Sequence, residues 1–122
     1  MRLTPLWMLL VVLSLAGCAA QSTAPAAQHV PRPHTCNWYK PRPAGEGVTR
    51  LSFRIEVSGR LRDIAVARSS GSDEIDKASM GCASHWHYFP ATMDAKPVET
   101  SWGAQIDWRR DGVAVTELSP AQ

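Results

Sequence analysis

An α+β domain of two layers is what this sequence predicts: an antiparallel sheet with one helix laid on it, in the order strand-strand-helix-strand. Three observations point there. Val48 to Val57 alternates apolar and polar residues, and Val98 to Trp108 returns to that period. Between them, apolar residues recur at helical spacing from Ile75 to Trp86.

In the first strand Leu51, Phe53, Ile55 and Val57 share one face, and Ser52, Arg54 and Glu56 share the other. That pattern is a half-buried strand. Ser58-Gly59 supplies a turn, because glycine accepts positive φ without a steric penalty. Leu61 to Arg68 is the second strand, with Ile64 and Val66 inward and Ala65 and Ala67 opposite. Ser69-Ser70-Gly71 breaks the period and Ser72 is placed as an N-cap. Asp73, Glu74 and Asp76 then meet the positive helix end. Ile75, Ala78, Ser79, Cys82 and Trp86 form the helix's buried face, Gly81 weakens it, and Pro90 forbids its continuation. After a loop over Ala91 to Pro97, the third strand puts Val98, Trp102, Ala104, Ile106 and Trp108 on one side.

The flanks read differently. Arg2 is the only charge in the first 31 residues, and Leu6 to Leu13 is an apolar run. The run is far short of the roughly 20 residues a membrane helix needs, so residues 1–17 read as a cleaved signal peptide. Leu15-Ala16-Gly17-Cys18 resembles the bacterial lipoprotein box, which implies a lipid on Cys18 and anchoring by more than one acyl chain. Within that class, alanine rather than aspartate at position 19 implies the outer membrane. Residues 18–35 are rich in Ala, Pro, Gln, Ser and Thr and are expected to form a lipidated flexible tether. At about 3.1 Å per residue such a tether reaches roughly 50 Å. The folded part is expected over 36–110, with 111–122 as a flexible tail. The formal charge is only +2, with no dominant basic face, so nucleic acid is not an expected partner.

The segment Glu46 to Ala91 resembles the C-terminal domain of the TonB family. The residues carrying the likeness are Glu46-Gly47-Val48, Gly59, Ser69-Ser70-Gly71, Ile75-Asp76, Trp86, Tyr88 and Pro90-Ala91. Lys96-Pro97-Val98 follows a Gly-x-Pro-Val pattern loosely, with Asp94 or Ala95 where glycine is usual. The resemblance implies a fold and a binding mode: the family's domain takes a short strand from an outer-membrane protein by edge pairing. It also implies a role in energy transduction, but a lipid in one leaflet offers no side chains to a proton-driven motor. A binding module for a periplasmic or outer-membrane protein or peptide is therefore expected. The expected edge is Val98 to Trp108, with Ser101, Gly103, Gln105 and Asp107 flanking the contact. A TonB-type transducer or accessory in transmembrane transport is the alternative, and a structural stabiliser of an envelope complex is another. The same edge could join a second copy as a homodimer.

With Cys18 lipidated, Cys36 and Cys82 remain. An even pair in an oxidising compartment is expected to bond, the alternative being two free buried thiols. Cys82-x-x-His85-x-His87, with His34 and Cys36, contains soft donors. A helix turns His87 away from the other two, so no metal site is assigned. No Gly-x-Ser-x-Gly elbow frames Ser69, Ser70 or Ser72, so no catalytic residue and no cofactor are assigned.

Overall fold

The computed structural model describes residues 28–29 and 34–118. The expected signal peptide over 1–17, the lipidation residue Cys18 and most of the tether lie outside the described residues. In chain order the elements are β1 (Gln28–His29), β2 (Gly47–Ile55), β3 (Leu61–Arg68) and α1 (Asp73–Ala83). Then follow β4 (Tyr88–Phe89), β5 (Ala91–Met93), β6 (Lys96–Val98), β7 (Thr100–Arg109) and β8 (Gly112–Leu118).

β3, β2, β7 and β8 form one antiparallel sheet in that spatial order. Leu51, Phe53 and Ile55 of β2 and Trp102, Ala104, Ile106 and Trp108 of β7 line its inner face, all buried. Helix α1 covers that face with Ile75, Ala78, Cys82 and Ala83. Burying these apolar side chains is the main favourable contribution to folding. The Trp108 indole N–H, inside the core, donates to Ser79 Oγ at 2.9 Å, and Ser79 in turn donates to the Ile75 carbonyl. A buried tryptophan thus keeps its polar handle satisfied.

Helix α1 begins as expected, with Ser72 Oγ accepting the Ile75 N–H at 3.3 Å. Its end is earlier than expected. Ser84 Oγ donates to the Gly81 carbonyl at 2.7 Å, and His85 Nδ1 lies 2.9 Å from the same oxygen. These side chains satisfy a last-turn carbonyl and release the chain, so Trp86 packs into the core from the following segment. Gly81 has a reason that the helical pattern did not show. A Cβ there would stand 2.3 Å from the Tyr39 hydroxyl, so glycine makes room for the ring.

Other boundaries also shift. Val57 is 56% exposed, because the backbone turns over Glu56–Gly59, with the Gly59 N–H donating to the Glu56 carbonyl. Val98 belongs to a small β5–β6 hairpin rather than to β7. Its turn residues Asp94 and Ala95 both have positive φ, 51° and 62°. A two-residue turn with both centres left-handed favours Asn-Gly or Asp-Gly. Ala95→Gly is therefore expected to raise stability by about 0.5–1 kcal/mol, relieving the side-chain clash by more than glycine's added chain entropy. Urea denaturation of the two proteins checks it.

The largest correction concerns both ends of the folded part. Gly112–Leu118, expected to lie in a flexible tail, is a strand paired with β7 from Gly103↔Leu118 to Arg109↔Gly112. Arg110-Asp111 forms the turn, and Val113 and Val115 pack on the core. Glu117 at an inward position masks this period in the sequence. At the other end, Gln28–His29 of the expected tether pairs with β4, and His34 packs on Trp86.

Candidate strand-binding edge

β7 is not an edge. It pairs with β2 from Gly47↔Trp108 to Ile55↔Thr100 and with β8 on its other side. Ser101, Gly103, Gln105 and Asp107 do share the outer face, but a peptide cannot add to a strand whose backbone is paired on both sides. The expected binding edge at Val98 to Trp108 is therefore corrected: among the described residues the edges of this sheet are β3 and β8.

These two edges differ in kind. β3 is irregular, with register shifts between Arg50 and Leu51 and between Ser52 and Arg54 of its partner. Asp63 takes φ of 53°, and Arg62, Asp63 and Arg68 put charge along it. Bulges and charges are the devices that blunt an edge against pairing. β8 has neither: its pairing with β7 is continuous, and its sequence Gly-Val-Ala-Val-Thr-Glu-Leu carries one charge. That charge faces inward. The Val113 N–H points away from β7, donating to Asn37 Oδ1 at 3.2 Å. Antiparallel alternation turns the backbone groups of Val115 and Glu117 the same way.

Glu117 is the hub beneath this edge. Its carboxylate accepts from His34 Nδ1 at 2.7 Å, the Tyr88 hydroxyl at 2.7 Å and the Trp102 indole at 3.1 Å. His34 Nε2 lies 2.9 Å from the His87 carbonyl, and the ring stacks on Trp86 with centroids 4.9 Å apart. Burial alone would raise the Glu117 pKa, yet the donors from His34, Tyr88 and Trp102 hold it below the usual carboxylate range. Burial and the neighbouring Glu117 charge push the Tyr88 phenol far above its ordinary value. The hub thus fastens β8 to β7, to the segment after the helix and to the N-terminal arm.

The arm is itself fixed by a disulfide. Cys36 and Cys82 are bonded, with Cα atoms 5.8 Å apart, so neither sulfur serves as a metal ligand. His85 faces the Gly81 carbonyl and His34 the Glu117 carboxylate. Among the described residues no group of three or more His, Cys, Asp or Glu is placed to hold a metal ion. The serines also have structural partners. Asp76 accepts from Thr49 Oγ1 at 2.8 Å, the Ser70 N–H at 2.9 Å, Ser70 Oγ at 2.7 Å and Ser69 Oγ. Sequence reasoning placed Asp76 at the helix dipole and missed this cluster; an inward-facing Thr49 opening the first strand was the available signal.

The sequence model of the family described as Gram-negative bacterial TonB protein C-terminal matches residues 42–109, more than half of the chain. The chain belongs to the TonB C-terminal family. That family is a non-enzymatic, transport-related domain of the bacterial envelope, and the mostly antiparallel sheet with one helix is the fold that goes with it. No curated protein and no solved structure gives a significant match to the chain. The family match spans β2 to β7 and stops at Arg109. The arm through Tyr39 and the edge strand β8 thus lie outside the part of this TonB C-terminal domain that matches, and they touch each other through His34–Glu117 and Asn37–Val113. No helix among the described residues is long and apolar enough to cross a membrane.

Proposed function

We propose that this chain is a periplasm-facing lipoprotein, anchored through Cys18 in the outer membrane, whose TonB C-terminal domain binds an extended segment of another envelope protein. The segment adds to the outer side of β8, where the backbone groups of Val113 and Val115 that point away from β7 form the seam. The observation that carries this reading is the contrast between a bulged, charged β3 and a continuous, nearly uncharged β8. Asn37 occupies one of the seam's donors, so an incoming strand must displace that amide. No bond is made or broken and no cofactor takes part.

Titrating isotope-labelled chain with peptides from periplasmic segments of envelope proteins tests it. The amides of Val113 and Val115 are expected to shift first, and β3 to stay silent. A response confined to β3, or none across a broad peptide set, would sink the reading. Mass spectrometry of the membrane-extracted protein, seeking acyl groups on Cys18, tests the anchor independently. A part in TonB-dependent uptake is a second reading, favoured by the family match alone. Deleting the gene and measuring siderophore or cobalamin uptake separates the two, since normal uptake leaves only the binding module.

A further inference from the structure

The sheet's outer face, opposite the helix, carries a pattern that folding does not explain. Arg50 of β2 lies directly opposite Arg68 of the edge strand β3, and Arg54 lies opposite Arg62. Like charges facing each other across a strand pair are destabilising. One of the two pairs is neutralised in place: Arg54 and Arg62 both bond the Glu99 carboxylate. The other is not. Arg50 Nη2 reaches only the neutral Gln105 Oε1, at 3.5 Å, and its Nε, like that of Arg54, is buried with no hydrogen-bond partner among the described residues. Arg68 makes no ion pair among the described residues. Asp107, two positions along β7 from Gln105, is already held by Arg109 at 2.8 Å.

Between the two arginine pairs the face is low. Ser52 is paired with exposed Ala65 on one side and with buried Gly103 on the other, so short side chains floor a shallow trough over Ser52 and Ala65. Arg50 and Arg54 stand four positions apart on β2, so the banks are about 13 Å from each other.

We propose that this trough binds an acidic extended peptide, one carboxylate of which sits between the Arg50 and Arg68 guanidiniums. Charge complementarity selects the occupant: two uncompensated guanidiniums side by side fit an oxygen anion, and guanidinium favours carboxylate through paired N–H donors. The small-residue floor admits an extended backbone lying flat. The site stands on its own residues and does not require the β8 seam.

The full chain is titrated with an end-blocked peptide alternating Asp and Gly, and with its Asn-Gly counterpart, at low and at physiological salt. Binding of the Asp peptide is expected to shift the amides of Arg50, Ser52, Arg68 and Gln105 and to weaken with salt. Arg68→Gln is expected to weaken it about threefold and the double variant with Arg50→Gln about tenfold, while Lys77→Gln, exposed on the helix at the opposite face, leaves it nearly unchanged. In the free chain, Arg68→Glu is expected to raise the melting temperature, because it turns a like-charge pair into an ion pair. Circular dichroism confirms that each variant folds, and exposed Arg68 carries the test if Arg50→Gln does not. Equal binding of both peptides, no shift at low salt, wild-type affinity in Arg68→Gln, or a lower melting temperature for Arg68→Glu would each overturn the proposal. Failure here leaves the β8 reading standing, because that seam is read at Val113 and Val115.

Discussion

Opening the Cys36–Cys82 bond, by reduction or by replacing both cysteines with serine, is expected to cost about 4 kcal/mol of stability. The bond closes a loop with a sequence separation of 46, so its loss returns that loop's freedom to the unfolded chain. The domain is small, and its core is one sheet face and one helix, so such a loss is a large share of a typical stability. A second effect is local. Cys36 stands between His34 and Asn37, the two arm residues that reach Glu117 and Val113. Loosening the arm therefore weakens the packing under β8 and uncaps one edge amide. Guanidinium titrations with and without reductant measure the global loss. Hydrogen exchange at Val113 measures the local one. A midpoint that ignores reductant would mean the arm's other contacts hold it unaided.

Asp76→Ala is expected to cost about 3 kcal/mol, because it strands several donors in a buried site at once. Thr49 is fully buried, and its hydroxyl has no other acceptor among the described bonds. The Ser70 N–H loses its partner as well. These bonds tie the start of β2, the exit of β3 and the first turn of α1 to a single carboxylate. Burial acts to raise the Asp76 pKa, but the donors from Ser69, Ser70 and Thr49 outweigh it and bring the value from 3.8 down to about 2. A depressed folded pKa contributes stability that is complete above the unfolded value and is lost as pH falls through the folded one. The wild-type advantage over Asp76→Asn is thus expected to hold above about pH 4 and to shrink towards pH 2. Thermal melts of both proteins across that range check it, and a gap that stayed constant would show that the carboxylate charge is not what the site uses.

Much of the fold was legible because its signals are local. The period of two in Leu51, Phe53 and Ile55, the Ser72 cap and Pro90 each act within a few residues, so each is visible without the rest of the chain. The helix end was misplaced for a related reason. Trp86 keeps helical spacing with Cys82, but Ser84 and His85 satisfy the Gly81 carbonyl and turn the chain first. β8 was missed because its pattern includes Glu117 on the buried face. A carboxylate there reads as exposed until Tyr88, Trp102 and His34 are found around it. The candidate site moved with it, from the expected edge at Val98 to Trp108 to the strand that covers it.

From residue order alone came the layer type, the family likeness and the expected pairing of two cysteines, because periodicity and composition are properties of the chain itself. Which described strands lie at the sheet's edges, why Gly81 is glycine, and how His34, Tyr88 and Trp102 come to surround Glu117 were decided only in three dimensions. Those facts depend on neighbours tens of residues away, and a backbone edge is free or occupied only relative to what lies beside it.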